Sequence, residues 1–222
     1  MTPLSLITDH ITGLPIELAK NQIVQIWQVR KIKRFERFLS QLQTEMDRMT
    51  EEQRSKLNDY IETEEAQDRL IEFADSVLSS SDKRVHVALA LLYANDRDYS
   101  LSDKEVHTFC MAVRNIHPEL ITFYLKLETA SSSRIFDTLS ERYTLKHTDL
   151  DSLFEDEYSS DEVTEMVTEL ISLKLLLNDP KYYPTFDEDS SWTVSWGMND
   201  SKWGIQRLLR KSQYVYEQNY KN

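Results

Sequence analysis

The residues best suited to chemistry are His107, Cys110 and His117. His107 and Cys110 stand three apart and share one helical face. Zinc needs three or four donors, and the spacing on to His117 matches no standard site. Cys110 lies between the apolar Phe109 and Val113, which reads as a small buried thiol. The same residues form a nominal Cys/His nucleophile pair, but no glycine-rich turn is there to expose the sulfur. Gly13, Gly197 and Gly204 are the only glycines, so a phosphate-cradling glycine loop cannot form. No HExxH, GxSxG or CxxC motif occurs. The expectation is no metal, no cofactor and no catalytic residue set. Any of the 38 acids could still converge in three dimensions, so an enzyme whose site is invisible in sequence stays open.

Charge is more informative than motif. Between Asp149 and Glu169 there are nine acids and no Lys or Arg: Asp149, Asp151, Glu155, Asp156, Glu157, Asp161, Glu162, Glu165 and Glu169. Such a run is a solvated helical face, with acids favoured near helix N-termini, a docking surface for a basic partner, or a decoy for a nucleic-acid-binding protein. An EF-hand is excluded, since its loop needs alternating oxygen donors around a central glycine. The counterpart is the basic segment Arg30, Lys31, Lys33, Arg34 and Arg37, in which Glu36 is the one acid. It shares a helix with Trp27, Phe35 and Phe38, so its apolar side is either core or a surface for anionic membrane or phosphates. A second basic group, Lys202, Arg207, Arg210 and Lys211, lies on the last helix; if the two groups converge they make a nucleic-acid patch.

The chain as a whole carries a formal charge of -12 over 222 residues, which disfavours nucleic acid and anionic membranes unless a basic patch is segregated. Three glycines and five prolines are too few for a turn-rich all-β fold. A single cysteine fits a reducing compartment. The first ten residues lack a basic n-region, and no apolar run reaches the ~18 residues of a membrane span. The expected location is cytoplasmic.

The elements that must position these groups are mostly helices. Residues 1 to 14 read as a lead segment, and Pro15 suits a first helical turn. Apolar residues then recur at steps of three and four through Ile16, Ala19, Ile23, Ile26/Trp27, and again through Ile32, Phe35, Leu39, Leu42, Met46 and Met49. The phase slips between Trp27 and Ile32, which predicts a bend, a break or a change of partner. This helix over 15–49 is also a surface for homo-oligomerisation. Thr50-Glu51-Glu52-Gln53 and Ser102-Asp103-Lys104-Glu105 are capping boxes that open new helices. Residues 82 to 95 are apolar on nearly every side and should form the buried centre. Pro118 ends one helix and opens the next. A helix is expected around Ile135, Phe136 and Leu139, then one over 149–156 and one over 161–173. A last helix over about 202–216 should turn Trp203, Leu208 and Leu209 inward. The alternation of Trp192, Val194 and Trp196 suits a strand.

From Tyr143 to about Lys211 the order helix, turn, helix, short strand, loop, short strand resembles a winged helix. The resemblance covers about a third of the chain and rests on the helix capped at Thr148, the turn Glu157-Tyr158-Ser159, the helix 161–173 and the two strand candidates. It implies a DNA-reading second helix, yet that helix here carries Asp161, Glu162, Glu165 and Glu169. Residues 30 to 130 resemble helical segments of uncharacterised bacterial proteins, including ones linked to stress or phage defence.

The sequence therefore predicts a mainly α protein: a helical domain over 15–130, with a boundary at Ala130-Ser131-Ser132-Ser133, and a winged-helix-like domain over 134–222 with a short two-stranded hairpin. The first functional expectation is a non-enzymatic interaction or adaptor protein. It would engage a basic partner through Glu155, Asp156, Asp161, Glu162, Glu165 and Glu169. The alternatives are a DNA-binding regulator using Arg30, Lys31, Lys33, Arg34, Arg37, Arg207, Arg210 and Lys211, and an enzyme with a hidden site.

Overall fold

The structure is a computed structural model; it describes residues 16–94, 99, 101–114, 116–127, 135–137, 140–146, 150, 153–154, 157–179 and 193–220. The lead segment, the boundary at 130–133, Glu155, Asp156 and Trp192 lie outside the described residues.

The protein is mainly helical with a small antiparallel sheet in its C-terminal part. Eight helices are described: α1 (Ile16–Arg48), α2 (Glu51–Ile61), α3 (Glu64–Ser79), α4 (Lys83–Ala94), α5 (Asp103–Val113), α6 (Pro118–Lys126), α7 (Ser160–Ser172) and α8 (Asp200–Tyr220). Both expected capping boxes are present, Thr50 with Gln53 and Ser102 with Glu105, and a third joins Ser159 to Glu162. Each satisfies amide donors that the first helical turn leaves without partners. His117 caps α6 from the residue before Pro118, its Nδ1 accepting from the Glu119 amide.

The centre is α4. Every residue from Val85 to Tyr93 is buried, as a helix apolar on all sides requires. α1 and α8 cover it on two flanks, with α3 beside them. The phase slip in α1 is a change of surroundings, because the helix runs unbroken through it for 33 residues. From Phe38 to Glu45 its inward stripe is core, whereas every side chain from Val24 to Arg30 is exposed.

The start of α4 gathers three polar groups, Asp82, Arg84 and His86, and each is hydrogen-bonded. Arg84 makes a two-pronged pair with the buried carboxylate of Asp82, with Nη2 at 2.6 Å from Oδ2. The same guanidinium donates to the Pro118 carbonyl at 2.6 Å and to Thr122 Oγ1 at 3.0 Å, tying α4 to the start of α6. His86 is fully buried. Its Nε2 lies 3.1 Å from the Ser80 carbonyl, which can only accept, so Nε2 carries the proton. Nδ1 then accepts from Arg37 Nη1 at 3.0 Å. The neutral ring thus bridges α1 to the segment before α4.

In the C-terminal part the structure corrects one expectation. In place of the helix expected around Ile135, Phe136 and Leu139, β1 (Ile135–Asp137) and β2 (Ser140–Lys146) are an antiparallel pair; Leu139 lies outside the described residues. The reason is an alternation in which Tyr143 and Leu145 are buried while Arg142, Thr144 and Lys146 are not. With β3 (Leu177–Asn178) and β4 (Thr193–Met198) they make a sheet of order β1-β2-β4-β3, wider than the hairpin expected. β4 sits inside the sheet and is buried from Val194 to Met198, with α7 packed against it. Tyr143 stacks on Trp196 at 6.1 Å and meets Trp203 of α8 edge-on at 5.8 Å. Arg142 Nε pairs with the buried Asp179 at 2.7 Å, fixing β2 to the residue after β3.

The apolar core is continuous from α1 to α8, because α8 lies against both α4 and α6. Gln206 donates to the Tyr124 carbonyl at 2.8 Å, and Arg210 to that of Leu125 at 3.1 Å. The Tyr124 hydroxyl lies within reach of the Leu175 carbonyl (3.2 Å) and the Lys202 carbonyl (3.1 Å).

Two predictions follow from this packing. The pKa of His86 is pushed down from 6.5 to about 4, first because burial disfavours the charged ring. The unfolded chain therefore binds more protons between about pH 4 and 6.5. The contribution of the neutral ring is full above about pH 6.5 and is lost as pH falls through that window, by up to about 3 kcal/mol. Denaturation of His86→Gln should show a flatter pH dependence there than wild type; equal slopes would contradict the assignment. At Gly204 a Cβ would stand 2.6 Å from the backbone carbonyl oxygen of Tyr99. Gly204→Ala should therefore cost about 1–3 kcal/mol, read from a chemical denaturation midpoint.

Candidate interaction surfaces

α7 presents the acidic face. Ser159 caps it, and Val163, Val167 and Leu170 are buried toward α6 and β4. Its start is held by three aromatic rings, Phe123, Phe154 and Tyr158, whose centroids lie 5.4 to 5.6 Å apart. Its end turns through Lys174 at φ 59, a left-handed position where glycine is usual, and the Leu170 carbonyl accepts from the amides of both Leu175 and Leu176. With one side of α7 fixed in this way, Asp161, Glu162, Glu165 and Glu169 all fall on the exposed side. At 100° per residue they span an arc of about 100°.

Those four carboxylates are not equivalent. Glu162 Oε2 accepts from both the amide and the hydroxyl of Ser159 at 2.8 Å, and these hydrogen bonds hold its pKa below the usual range. Its role is local. Asp161, Glu165 and Glu169 have no ion-pair partner among the described residues. Glu157, just before the cap, pairs with Lys126.

The basic residues of α1 divide as well. Arg34 donates to the Leu78 carbonyl at 2.8 Å and Arg37 reaches His86, so both are fastened to the body. Burial, and then the neighbouring charges of Arg30 and Arg37, lower the pKa of Arg34. Arg30 and Lys33 are exposed, and Lys31 is half-buried with its Nζ 3.6 Å from the centre of the Trp27 ring. Around them Val24, Ile26, Trp27, Val29 and Ile32 are 45% to 56% exposed. Large apolar side chains exposed along one stretch of helix make that stretch a candidate interaction surface. On α8, Arg207, Arg210 and Lys211 are exposed, but Arg210 donates to the Leu125 carbonyl and Lys211 lies over Tyr99 at 5.9 Å. No described hydrogen bond or ring contact joins the α8 group to the α1 group, although both helices pack on α4.

The residues suited to chemistry are placed apart from one another in role. His107 Nδ1 meets Glu72 Oε1 at 2.5 Å, and His117 serves as the cap of α6. Cys110 is fully buried, and burial pushes its pKa up to about 12. Among the described residues no group of three or more His, Cys, Asp or Glu side chains could hold a metal ion. The seam between Tyr143, Leu176, Trp196 and Trp203 leaves no room for a molecule the size of water. None of the described helices is long and apolar enough to cross a membrane. No family model, no curated protein and no solved structure matches this chain.

Sequence reasoning could place the acids on one face, since the spacing 161, 165, 169 repeats every helical turn. It could not assign Glu162 to the cap, because the same residue satisfies both patterns. Nor could it find that the α1 stripe is core from Phe38 to Glu45 and exposed from Val24 to Arg30, which depends on where α4 ends. One check concerns Cys110: a thiol reagent at mildly alkaline pH should leave the folded chain unlabelled and label it fully once unfolded. Fast labelling of the folded protein would show the sulfur to be reachable.

Proposed function

We propose that this chain is a non-enzymatic protein–protein interaction module whose α7 docks a basic surface of a partner. The observation that carries the reading is the row of Asp161, Glu165 and Glu169 along the exposed side of a helix whose other side is locked in the core. An exposed charge row gains little within its own chain, but it steers encounter and sets register with a partner of opposite charge. The resemblance of residues 30 to 130 suggests a setting in bacterial stress or phage defence.

The succession of α7, β3 and β4 supports a winged-helix reading of the C-terminal part. In such modules the second motif helix commonly enters the major groove. Carboxylates in that position meet phosphates of like charge, so the shape serves protein docking better than DNA reading. The DNA-binding alternative needs the α1 and α8 cations side by side, and Arg34, Arg37, Arg210 and Lys211 are each engaged by a separate neighbour.

The test is charge reversal. A tagged chain carrying Glu165→Lys and Glu169→Lys, both at exposed positions, should keep the wild-type thermal melt and lose its co-purifying basic partner. Recovery of the same partner at undiminished yield would sink this assignment.

A further inference from the structure

The stretch of α1 from Val24 to Lys33 and the acidic side of α7 have complementary charge, and their helices pack on different neighbours. α1 packs chiefly on α4 and α3; α7 packs chiefly on α6 and β4; α8 lies between, against α4 and α6. The inward stripe of α1, core at Phe38 and Leu42, runs on through Lys31 and Trp27 to Val24 with nothing over it. Arg30, Lys31 and Lys33 have no ion-pair partner among the described residues, and the same is true of Asp161, Glu165 and Glu169. We infer that the basic, apolar half of α1 docks on the acidic side of α7 in a second copy of this chain, joining copies head to tail. The inference rests on the docking reading of α7 and names its partner.

The chemistry of the two faces selects this occupant over others. A second α1 in the same place would set Arg30, Lys31 and Lys33 against their own copies, a repulsion that self-pairing must overcome. An anionic bilayer requires one apolar face, whereas Trp27 and Ile32, like Val24 and Val29, are about 140° apart around the helix. Apolar side chains on several sides suit a protein surface that wraps the helix. α7 matches in pitch: its acids recur every four residues and the cations at 30 and 33 every three, each close to one helical turn of about 5.4 Å. Half-buried Met166 and Ile171 flank the acidic row and give the apolar residues of α1 something to meet. Because the two faces differ, the contact is heterologous: a docked pair still leaves one α7 face and one α1 face unfilled, so the assembly extends or closes into a ring.

The experiment uses two variants of the full chain, altered only at exposed positions. One carries Arg30→Gln and Lys33→Gln, the other Glu165→Gln and Glu169→Gln. Sedimentation velocity at low salt should show wild type forming species that grow with protein concentration and dissolve as salt rises. Each variant alone should be monomeric. Mixed, they should form a 1:1 heterodimer and nothing larger, because the intact α1 of one fits the intact α7 of the other and no further face remains. Wild type that stays monomeric overturns the inference, as does self-association that survives in the α7 variant or a mixture that stays monomeric. If wild type is monomeric while Glu165→Lys and Glu169→Lys still abolish capture of a basic partner, the docking reading stands and only the second copy is lost. If neither effect is seen, both fall.

Discussion

Burial of α4 is the constraint on which the rest depends. Its nine residues from Val85 to Tyr93 have no polar side to offer water, so other elements must cover it completely. At ~25 cal/mol per Å² of apolar surface removed from water, that covering is the largest favourable contribution the N-terminal helices can make. It also dictates how the polar groups at its entry are treated. Asp82, Arg84 and His86 are drawn inside with it, and each is satisfied: the carboxylate by the guanidinium, the guanidinium by carbonyl and hydroxyl acceptors, the imidazole as a neutral ring between Ser80 and Arg37. Removing one member of such a set leaves an uncompensated group in a dry interior.

The cover comes from both ends of the chain. α1 supplies one flank and α8 the other, so the first and last described helices are folded onto the same central rod. α8 carries the constraint onward by capping the carbonyl end of α6 through Gln206 and Arg210. Trp203 extends it to the sheet, donating to Glu141 and meeting Tyr143 edge-on. What remains outside this packing is informative for the same reason. α4 is only 12 residues long, whereas α1 is 33, so α1 outruns the surface it was built to cover. α7 needs only one side to reach α6 and β4, and its other side is free to carry charge.

Much of the helical framework is legible without coordinates because it is local. Thr50 with Gln53 and Ser102 with Glu105 specify helix starts through bonds made within four residues, and Pro118 does so through its missing amide. The hairpin at 135–146 is not legible in the same way. Its apolar residues are few, Ile135, Phe136 and Leu139 fit a helical step as well as a strand, and the choice is made by pairing with β4 some fifty residues later. Strand pairing is non-local, and a short alternating run acquires its meaning only from the partner that covers it.

By itself the sequence determined most of the helices, though not the strands at Ile135–Asp137 and Ser140–Lys146, that the helix holding Val85 to Tyr93 is the buried centre, that one helical face is acidic and one segment basic, and that no glycine loop or familiar catalytic motif is present. These follow from spacing within a single element. Only the tertiary structure decided which charges are free to act. It assigned Glu162 to a cap, Arg34 and Arg37 to the body, and left Asp161, Glu165, Glu169, Arg30 and Lys33 without described ion partners. It also packed the helices that carry the two charged faces on different neighbours. The physical reason is that a charge is used or unused according to what lies within ~4 Å of it, and that depends on elements distant in the chain.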